Sequence, residues 1–274
     1  MKRIGIWFLL LLVWMGGCAK TDGRDGIEEE QRLIMYTSHA EEVYGPLVRE
    51  FEERSGIWVE VKEAGALYLL EQIKEGNSGC DLFLGGSVEL MESYGELFEV
   101  YAPVSYTYLV LLYNPKLVKN NPPEGWSDLL DPVWKGEIAF ADPEKSGSAC
   151  MALRALKKTS PEEMTEERLM ENLDGNLLFY SRDVVSEVAN GNYYIGVTME
   201  EAAIRGMEAG YDIFMVYPEE GENLLTDVAA VCADSAHREN AKEFLEFLRS
   251  EDAQLFIETY LNRYGAVDSG EVAE

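Results

Sequence analysis

The chain has 274 residues, enough for two medium-sized domains or for one domain with a large insertion. Its formal net charge is −28 at pH 7, and so acidic a protein lacks the basic face that nucleic-acid binding requires. Apolar residues make up 47% of the sequence, which indicates a folded globular protein. The negative charge repels an approaching anion at long range, so an anion site on this protein must rely on local dipoles and hydrogen bonds.

The N-terminal end predicts an export signal followed by a tether. Two basic residues precede an apolar run over 4–15 that is too short to be a comfortable membrane span. The next residues, Met-Gly-Gly-Cys, resemble a bacterial lipobox, in which the cysteine, here Cys18, is lipidated. The alternative is an ordinary secretion signal. We expect a lipoprotein signal peptide over 1–17 and a flexible polar tether over 18–31.

Apolar runs alternate with helical patterns through the rest of the chain, which predicts an α/β fold. The long apolar stretch 101–113 predicts a strand that leaves a first lobe and enters a second, and 226–231 predicts the strand that returns. The other predicted strands are 33–36, 57–63, 81–84, 138–141, 193–198 and 213–217. The first predicted helix follows the first strand and runs to about 54. Further helices are predicted over 67–74, 160–173, 183–189 and 201–209, with one or two helices over 239–261 and short helices after 87 and 148.

Three of these strands end in small or hydroxyl residues directly before a helix. The turns are 37–39, 85–87 and 145–148. Parallel strands bring such turns to one edge of a sheet, where ligands bind. The first turn of a helix offers unpaired N–H groups to an anion, and serine hydroxyls add further donors. The alternative is that the serines only cap their helices.

The cysteines after Cys18 are Cys80, Cys150 and Cys232. They are widely spaced, odd in number and without a CxxC pattern, so we expect neither a disulfide framework nor a zinc site. Cys150 and Cys232 are expected to be small buried apolar residues. Because the sequence holds only two histidines, cysteine catalysis is not expected.

Several segments, in this order, resemble the solute-binding proteins of bacterial ABC transporters, in the branch that binds ferric iron, 2-aminoethylphosphonate or sugar phosphates. They are YTSHAEE (36–42), DLFLGGS (81–87), and the stretches 126–149, 188–203, 216–221 and 237–254. The resemblance implies a two-lobed, type II periplasmic-binding-protein fold with two crossing hinge strands and a ligand cleft between the lobes. The expected lobes are 32–104 plus 229–274, and 105–228.

The resemblance also bears on the ligand. Ferric-binding relatives place a Tyr-Tyr pair directly after the strand where this chain has Met199-Glu200-Glu201, and Tyr193-Tyr194 lies at the other end of that strand. Ferric iron is therefore the second choice, and a phosphonate or phosphate ester is the first. The candidate ligand-binding residues are Thr37, Ser38, His39, Gly86, Ser87, Ser146, Gly147, Ser148, Ser181, Glu200 and Asp227.

Some of these residues have a second interpretation. Glu200 and Asp227 would pair with a ligand amine, as carboxylates do in aminophosphonate binders, or would cap a helix and lie in a solvated turn. His39 would contact the phosphate or sit in the first turn of its helix.

We expect a protein without catalysis, cofactor or bound metal. An extracytoplasmic phosphatase would need a cluster of metal ligands or a serine with a base, and neither pattern is present in the sequence. The expected partners are the small anion, the permease and ATPase subunits, and the membrane through the lipid on Cys18; a receptor-feeding sensor is the alternative to transport. The protein is expected to be an extracytoplasmic monomer.

Overall fold

The computed structural model describes residues 29–76, 78–161, 164–221 and 223–266. The signal peptide, Cys18 and most of the tether lie outside these residues. The last three residues of the predicted tether, Glu29–Gln31, form a 3₁₀ turn. No helix in the described part of the chain is long and apolar enough to cross a bilayer.

The described residues form strands and helices in alternation. The strands are β1 (Arg32–Thr37), β2 (Trp58–Glu63), β3 (Leu82–Leu84), β4 (Phe98–Tyr113), β5 (Ile138–Ala141), β6 (Leu177–Leu178), β7 (Ile195–Met199), β8 (Phe214–Val216), β9 (Leu224–Cys232) and β10 (Tyr264–Gly265). The helices are α1 (Glu41–Ser55), α2 (Ala66–Lys74), α3 (Val88–Tyr94), α4 (Gly147–Thr159), α5 (Thr165–Leu173), α6 (Asp183–Ala189), α7 (Glu200–Glu208), α8 (Arg238–Leu248) and α9 (Glu251–Tyr260).

The sheet is divided by the long strand β4. The strand order is β2-β1-β3-β9-β4-β7-β5-β6, and β8 and β10 also pair with β4. β4 pairs with β9 from Phe98 to Tyr108, and with β7 and β8 from Leu109 onward. β1 pairs in parallel with β2 and β3, and β5 pairs in parallel with β6 and β7. β9 runs antiparallel to both of its neighbours, β3 and β4. The α/β fold with two long central strands is as the sequence predicts.

The hydrophobic core is divided at the same place. Two apolar clusters draw their residues from positions up to 104 and from 228 onward, and two others draw theirs from 108–216. Trp126 is the largest of the fully buried side chains and lies in the second group. This division agrees with the expected lobes, whose boundaries stay a prediction.

One cysteine differs from the expectation: Cys150 is half-buried rather than buried, whereas Cys232 is buried as predicted. Cys80 and Cys232 are far apart in the sequence, but their sulfur atoms lie 3.1 Å apart. The reason is the pairing of β3 with β9, in which the Cys232 N–H donates to the Asp81 carbonyl at 2.9 Å. Strand pairing joins positions that sequence spacing separates.

Candidate functional site

A cleft lies where the two halves of the molecule face each other. One wall comes from the ends of β1, β2 and β3, and the other from the α4 N-terminus, the 179–182 loop and α7. Most of the candidate ligand-binding residues line it: Ser38, His39, Gly86, Ser146, Gly147, Ser148, Ser181 and Asp227. Turns from distant parts of the chain therefore meet in one place, as the parallel-sheet argument requires.

Thr37 and Ser87 do not line the cleft. Both are fully buried. The Thr37 hydroxyl accepts the His39 backbone N–H at 3.1 Å, and the Ser87 hydroxyl accepts the Leu90 N–H at 3.3 Å as the N-cap of α3. Each hydroxyl satisfies a buried backbone donor, so the structure does not bring these two candidate residues into the lining of the cleft.

Glu200 also lies away from the cleft. It is 3% exposed, and its Oε1 accepts hydrogen bonds from the hydroxyls of Tyr217 and Tyr264. Burial and the hydrogen bond to Glu200 raise the pKa of Tyr217. Successive helical residues point about 100° apart, so Glu201, the next residue, faces the cleft instead.

The α4 N-terminus combines capping with cleft lining. Ser146 is the N-cap, and its hydroxyl accepts the Ala149 N–H at 3.4 Å and lies 3.1 Å from the Ser148 hydroxyl. A Cβ at Gly147 would lie 3.2 Å from the side chains of Ala66 and Leu90, so glycine lets α4 approach the opposite wall. The Ser148 hydroxyl is therefore the one at this turn that does not cap the helix.

Lys145, on the same turn, is held by Asp142. The two side chains form an ion pair, and the Lys145 ammonium lies 5.7 Å from the centre of the Phe179 ring. Burial raises the pKa of Asp142, but the hydrogen bonds from Lys145 and the Glu144 N–H, together with the Lys145 charge, outweigh burial and leave that pKa below its ordinary value. Lys145 thus serves the turn rather than the cleft.

A buried network of charges forms the floor of the cleft. His39 Nε2 lies 2.7 Å from Asp227 Oδ2, and Arg263 Nη2 lies 3.6 Å from the same carboxylate oxygen. Arg263 Nη1 donates to Glu201 at 2.9 Å, which joins the C-terminal segment to α7. Burial raises the pKa of Asp227, but the charges of His39 and Arg263 overcome that effect and hold the pKa below its ordinary value. Asp227 is thus a buried ion-pair member rather than a solvated turn residue.

Two arginines that sequence reasoning missed line the cleft. Arg182 forms an ion pair with Glu63 on the opposite wall and stacks on Tyr180, with 4.1 Å from Cζ to the ring centre. Arg205 lies on α7, and its Nη1 is buried without a hydrogen-bond partner among the described residues. Helical spacing could have identified Arg205 from the sequence, since it follows the cleft residue Glu201 by one turn and so lies on the same face of α7.

Comparison with known proteins identifies the family. The family model for bacterial extracellular solute-binding proteins matches residues 33–260. The chain belongs to this family. This confirms the solute-binding resemblance, and members of the family are transport components rather than enzymes.

Individual relatives of this solute-binding protein differ in their ligands. The chain is 26% identical to Iron uptake protein A1 of Synechocystis sp., over 84% of this chain and 74% of that protein. It is 24% identical to YvgL of Bacillus subtilis, a candidate substrate-binding lipoprotein of an ABC transporter, over 94% and 97%. The structure of AfuA from Actinobacillus pleuropneumoniae with exogenous fructose-6-phosphate bound matches with a TM-score of 0.79 and 21% identity, covering 88% of this chain and 86% of AfuA. That structural match confirms the type II fold.

The two walls of the cleft touch in this solute-binding protein. Besides the Glu63–Arg182 pair, a Cβ built on Gly65 would clash with the carbonyl oxygen of Lys145. Because Gly65 precedes α2 and Lys145 precedes α4, these contacts join the halves at the mouth of the cleft.

The charges at the cleft are mostly neutralised internally. Arg182 pairs with Glu63, and Arg263 pairs with Glu201 and Asp227. The guanidinium of Arg205 keeps an unused donor, so the cleft offers positive charge inside a strongly acidic protein. Among the described residues there is no group of three or more His, Cys, Asp or Glu side chains that could hold a metal ion.

Proposed function

We propose that this solute-binding protein captures a small phosphonate or phosphate-ester anion in the cleft and delivers it to the permease of an ABC importer. The observation that carries the proposal is the buried, unpartnered Nη1 of Arg205 at the cleft. A buried donor without a partner costs free energy, and an ionised ligand oxygen would remove that cost. Guanidinium groups match phosphoryl oxygens in geometry as well as in charge.

Neighbouring groups supply the remaining donors. The Ser148 and Ser181 hydroxyls and the first N–H groups of α4 line the same cleft. Each hydrogen bond to an ionised oxygen contributes about 1.5–3 kcal/mol. Four such bonds would reach the roughly 8 kcal/mol of micromolar binding, with a margin for the cost of association.

The test is a binding panel on the full chain by thermal shift and calorimetry. The compounds are inorganic phosphate, 2-aminoethylphosphonate, hexose phosphates, glycerol phosphate and ferric citrate. A ligand at 100 times its Kd adds about 2.7 kcal/mol to the free energy of unfolding, which is readily detected. We expect one phosphoryl compound to raise the melting temperature and ferric citrate to leave it unchanged.

Arg205→Gln provides the variant arm of this experiment, and Arg154→Gln is its matched control. Arg154 lies exposed on α4, outside the cleft lining. We expect Arg205→Gln to weaken the phosphoryl ligand by at least about tenfold, on the estimate of one lost charge-assisted bond, and Arg154→Gln to bind as the wild type does. Equal affinity in both variants would remove Arg205 from the site and with it the proposal.

Ferric iron is the second candidate, because the chain is similar to an iron uptake protein over most of its length. His39, Asp227 and Tyr180 line the cleft and carry the ligand types that iron accepts. A thermal shift with ferric citrate alone, together with the visible colour of a tyrosinate-to-iron complex, would establish iron and refute the phosphoryl ligand.

We further propose that the protein is a monomer held outside the cytoplasm by a lipid on Cys18. The lipobox-like sequence and the similarity to a candidate lipoprotein support this anchor. Membrane fractionation tests it, since Cys18→Ala should move the protein from the membrane to the soluble fraction. Retention of the variant in the membrane would contradict lipidation.

A further inference from the structure

Cys80 and Cys232 form a close pair of buried thiols beside the β3–β9 pairing. Their sulfur atoms are 3.1 Å apart, and the residues are 4% and 2% exposed. Both belong to the same apolar cluster. Cys150, by contrast, is half-buried on α4 and takes no part in this contact.

We propose that Cys80 and Cys232 are joined by a disulfide bond in the exported protein. Thiols of extracellular proteins are exposed to oxidising conditions, in which adjacent pairs become disulfides. A movement of about 1 Å brings the two sulfur atoms to bonding distance, a small adjustment for two side chains. The backbone holds the two cysteines side by side, because the Cys232 N–H is hydrogen-bonded to the carbonyl of Asp81, the residue next to Cys80.

The bond forms by exchange with a disulfide donor, either a thiol–disulfide oxidoreductase or a small-molecule disulfide. The Cys80 thiolate attacks one donor sulfur and releases the other as a thiolate. The Cys232 thiolate then attacks the Cys80 sulfur and releases the second donor thiolate. The protein loses two protons and two electrons, and the donor disulfide is reduced to two thiols.

Burial fixes the order of events. It raises the pKa of the Cys80 thiol well above its ordinary value, so the reactive thiolate is rare in the folded protein. Exchange is therefore expected during folding, before β9 covers the segment that precedes β3. Once buried, the bond is shielded from reductants.

The bridge would stabilise the fold without restraining the hinge. The two cysteines are 152 positions apart, and the segment between them includes α4–α7 and the second wall of the cleft. Closing so long a loop lowers the entropy of the unfolded chain substantially. Both cysteines lie in the β1–β3 half of the molecule, so the bond does not cross the cleft.

Peptide mapping tests the proposal directly. The full chain is produced in an exporting bacterial host, purified without reductant, unfolded, alkylated and digested. We expect mass spectrometry to find the Cys80 and Cys232 peptides joined and Cys150 alkylated. Alkylation of both Cys80 and Cys232 would overturn the proposal, and this readout needs no variant to fold.

Thermal unfolding with and without reductant gives the second measurement. We expect reductant to lower the melting temperature of the wild type and of Cys150→Ala by at least about 5 °C. Cys232→Ala should melt at the temperature of the reduced wild type and be insensitive to reductant. A wild type whose melting temperature is unchanged by reductant at unfolding equilibrium would count against the bridge.

Discussion

Replacing Arg263 by methionine tests the buried network beneath the cleft. The guanidinium donates to Glu201 at 2.9 Å and to the Ser105 hydroxyl at 2.9 Å, and it lies 3.6 Å from Asp227. Arg263 and Glu201 each have side chains that are 1% exposed. Methionine retains most of the apolar stem, so Arg263→Met removes chiefly the charge and the donors.

The expected loss is large because the carboxylates stay behind. Removal of one partner from a buried ion pair costs about 3–5 kcal/mol, since the remaining charge is left without compensation. After Arg263→Met, the hydroxyl of Thr107, which donates at 2.8 Å, is the one side-chain partner of Glu201 left among the described residues, and Asp227 keeps His39 and the Ser105 hydroxyl. We therefore expect the free energy of unfolding to fall by about 3–5 kcal/mol.

Urea unfolding of the full chain measures this loss, and Arg238→Met is the matched control. Arg238 pairs with Glu99 at 2.7 Å, but the two side chains are 45% and 34% exposed, so this pair contributes about 0–1 kcal/mol. Adding Glu201→Gln to Arg263→Met should recover part of the loss, because the stranded charge is removed. If Arg263→Met and Arg238→Met cost the same, the buried network stabilises the fold no more than an exposed ion pair does.

Three further predictions concern the cleft and its surroundings. Ser148→Ala should weaken binding of the phosphoryl ligand by about tenfold or more in calorimetry. Ser87→Ala should leave that affinity unchanged and lower the free energy of unfolding by about 1 kcal/mol, because an N-cap is lost. Equal losses of affinity in the two variants would contradict the assignment of these serines. Gly65→Ala places a methyl group against the Lys145 carbonyl, so small-angle scattering should show incomplete closure with ligand, and a wild-type radius would refute the clash. Because the folded-state pKa of Asp227 lies below its unfolded-state pKa, its stabilising contribution is complete above about pH 4 and is lost as the pH falls through the folded-state value. Between pH 5 and pH 3 the free energy of unfolding should thus fall less for Asp227→Asn than for the wild type. Equal falls in the two proteins would contradict a stabilising role for the Asp227 carboxylate.

The sequence predicts the fold well where local pattern and burial agree. The strand over 138–141 and the helix over 183–189 have the predicted bounds, because both are short apolar elements between clear turn residues. The helix predicted over 160–173 begins only at Thr165. The return strand predicted over 226–231 extends over Leu224–Cys232, since pairing with β4 continues beyond its apolar run at both ends.

The serine turns show what a local pattern leaves undecided. A hydroxyl before a helix serves as a cap or as a ligand donor, and the sequence around Ser87 and Ser148 is compatible with both. The structure separates them by position: Ser87 accepts a backbone N–H inside the core, whereas Ser148 follows the cap and lines the cleft. Only the location of the opposite wall distinguishes the two roles.

The cationic groups could not be predicted because their partners are distant in the sequence. Arg263 follows α9 in an unremarkable polar stretch, and its significance comes from Glu201 and Asp227, which other strands and helices bring to it. Burial makes the loss of one of these charges costly to stability, since the same ion pairs at the surface would contribute little to the free energy of unfolding. An acidic protein with a net charge of −28 can therefore offer an anion a favourable site, provided that the carboxylates at the cleft are already paired and a guanidinium that lines the cleft, that of Arg205, keeps a donor without a partner among the described residues.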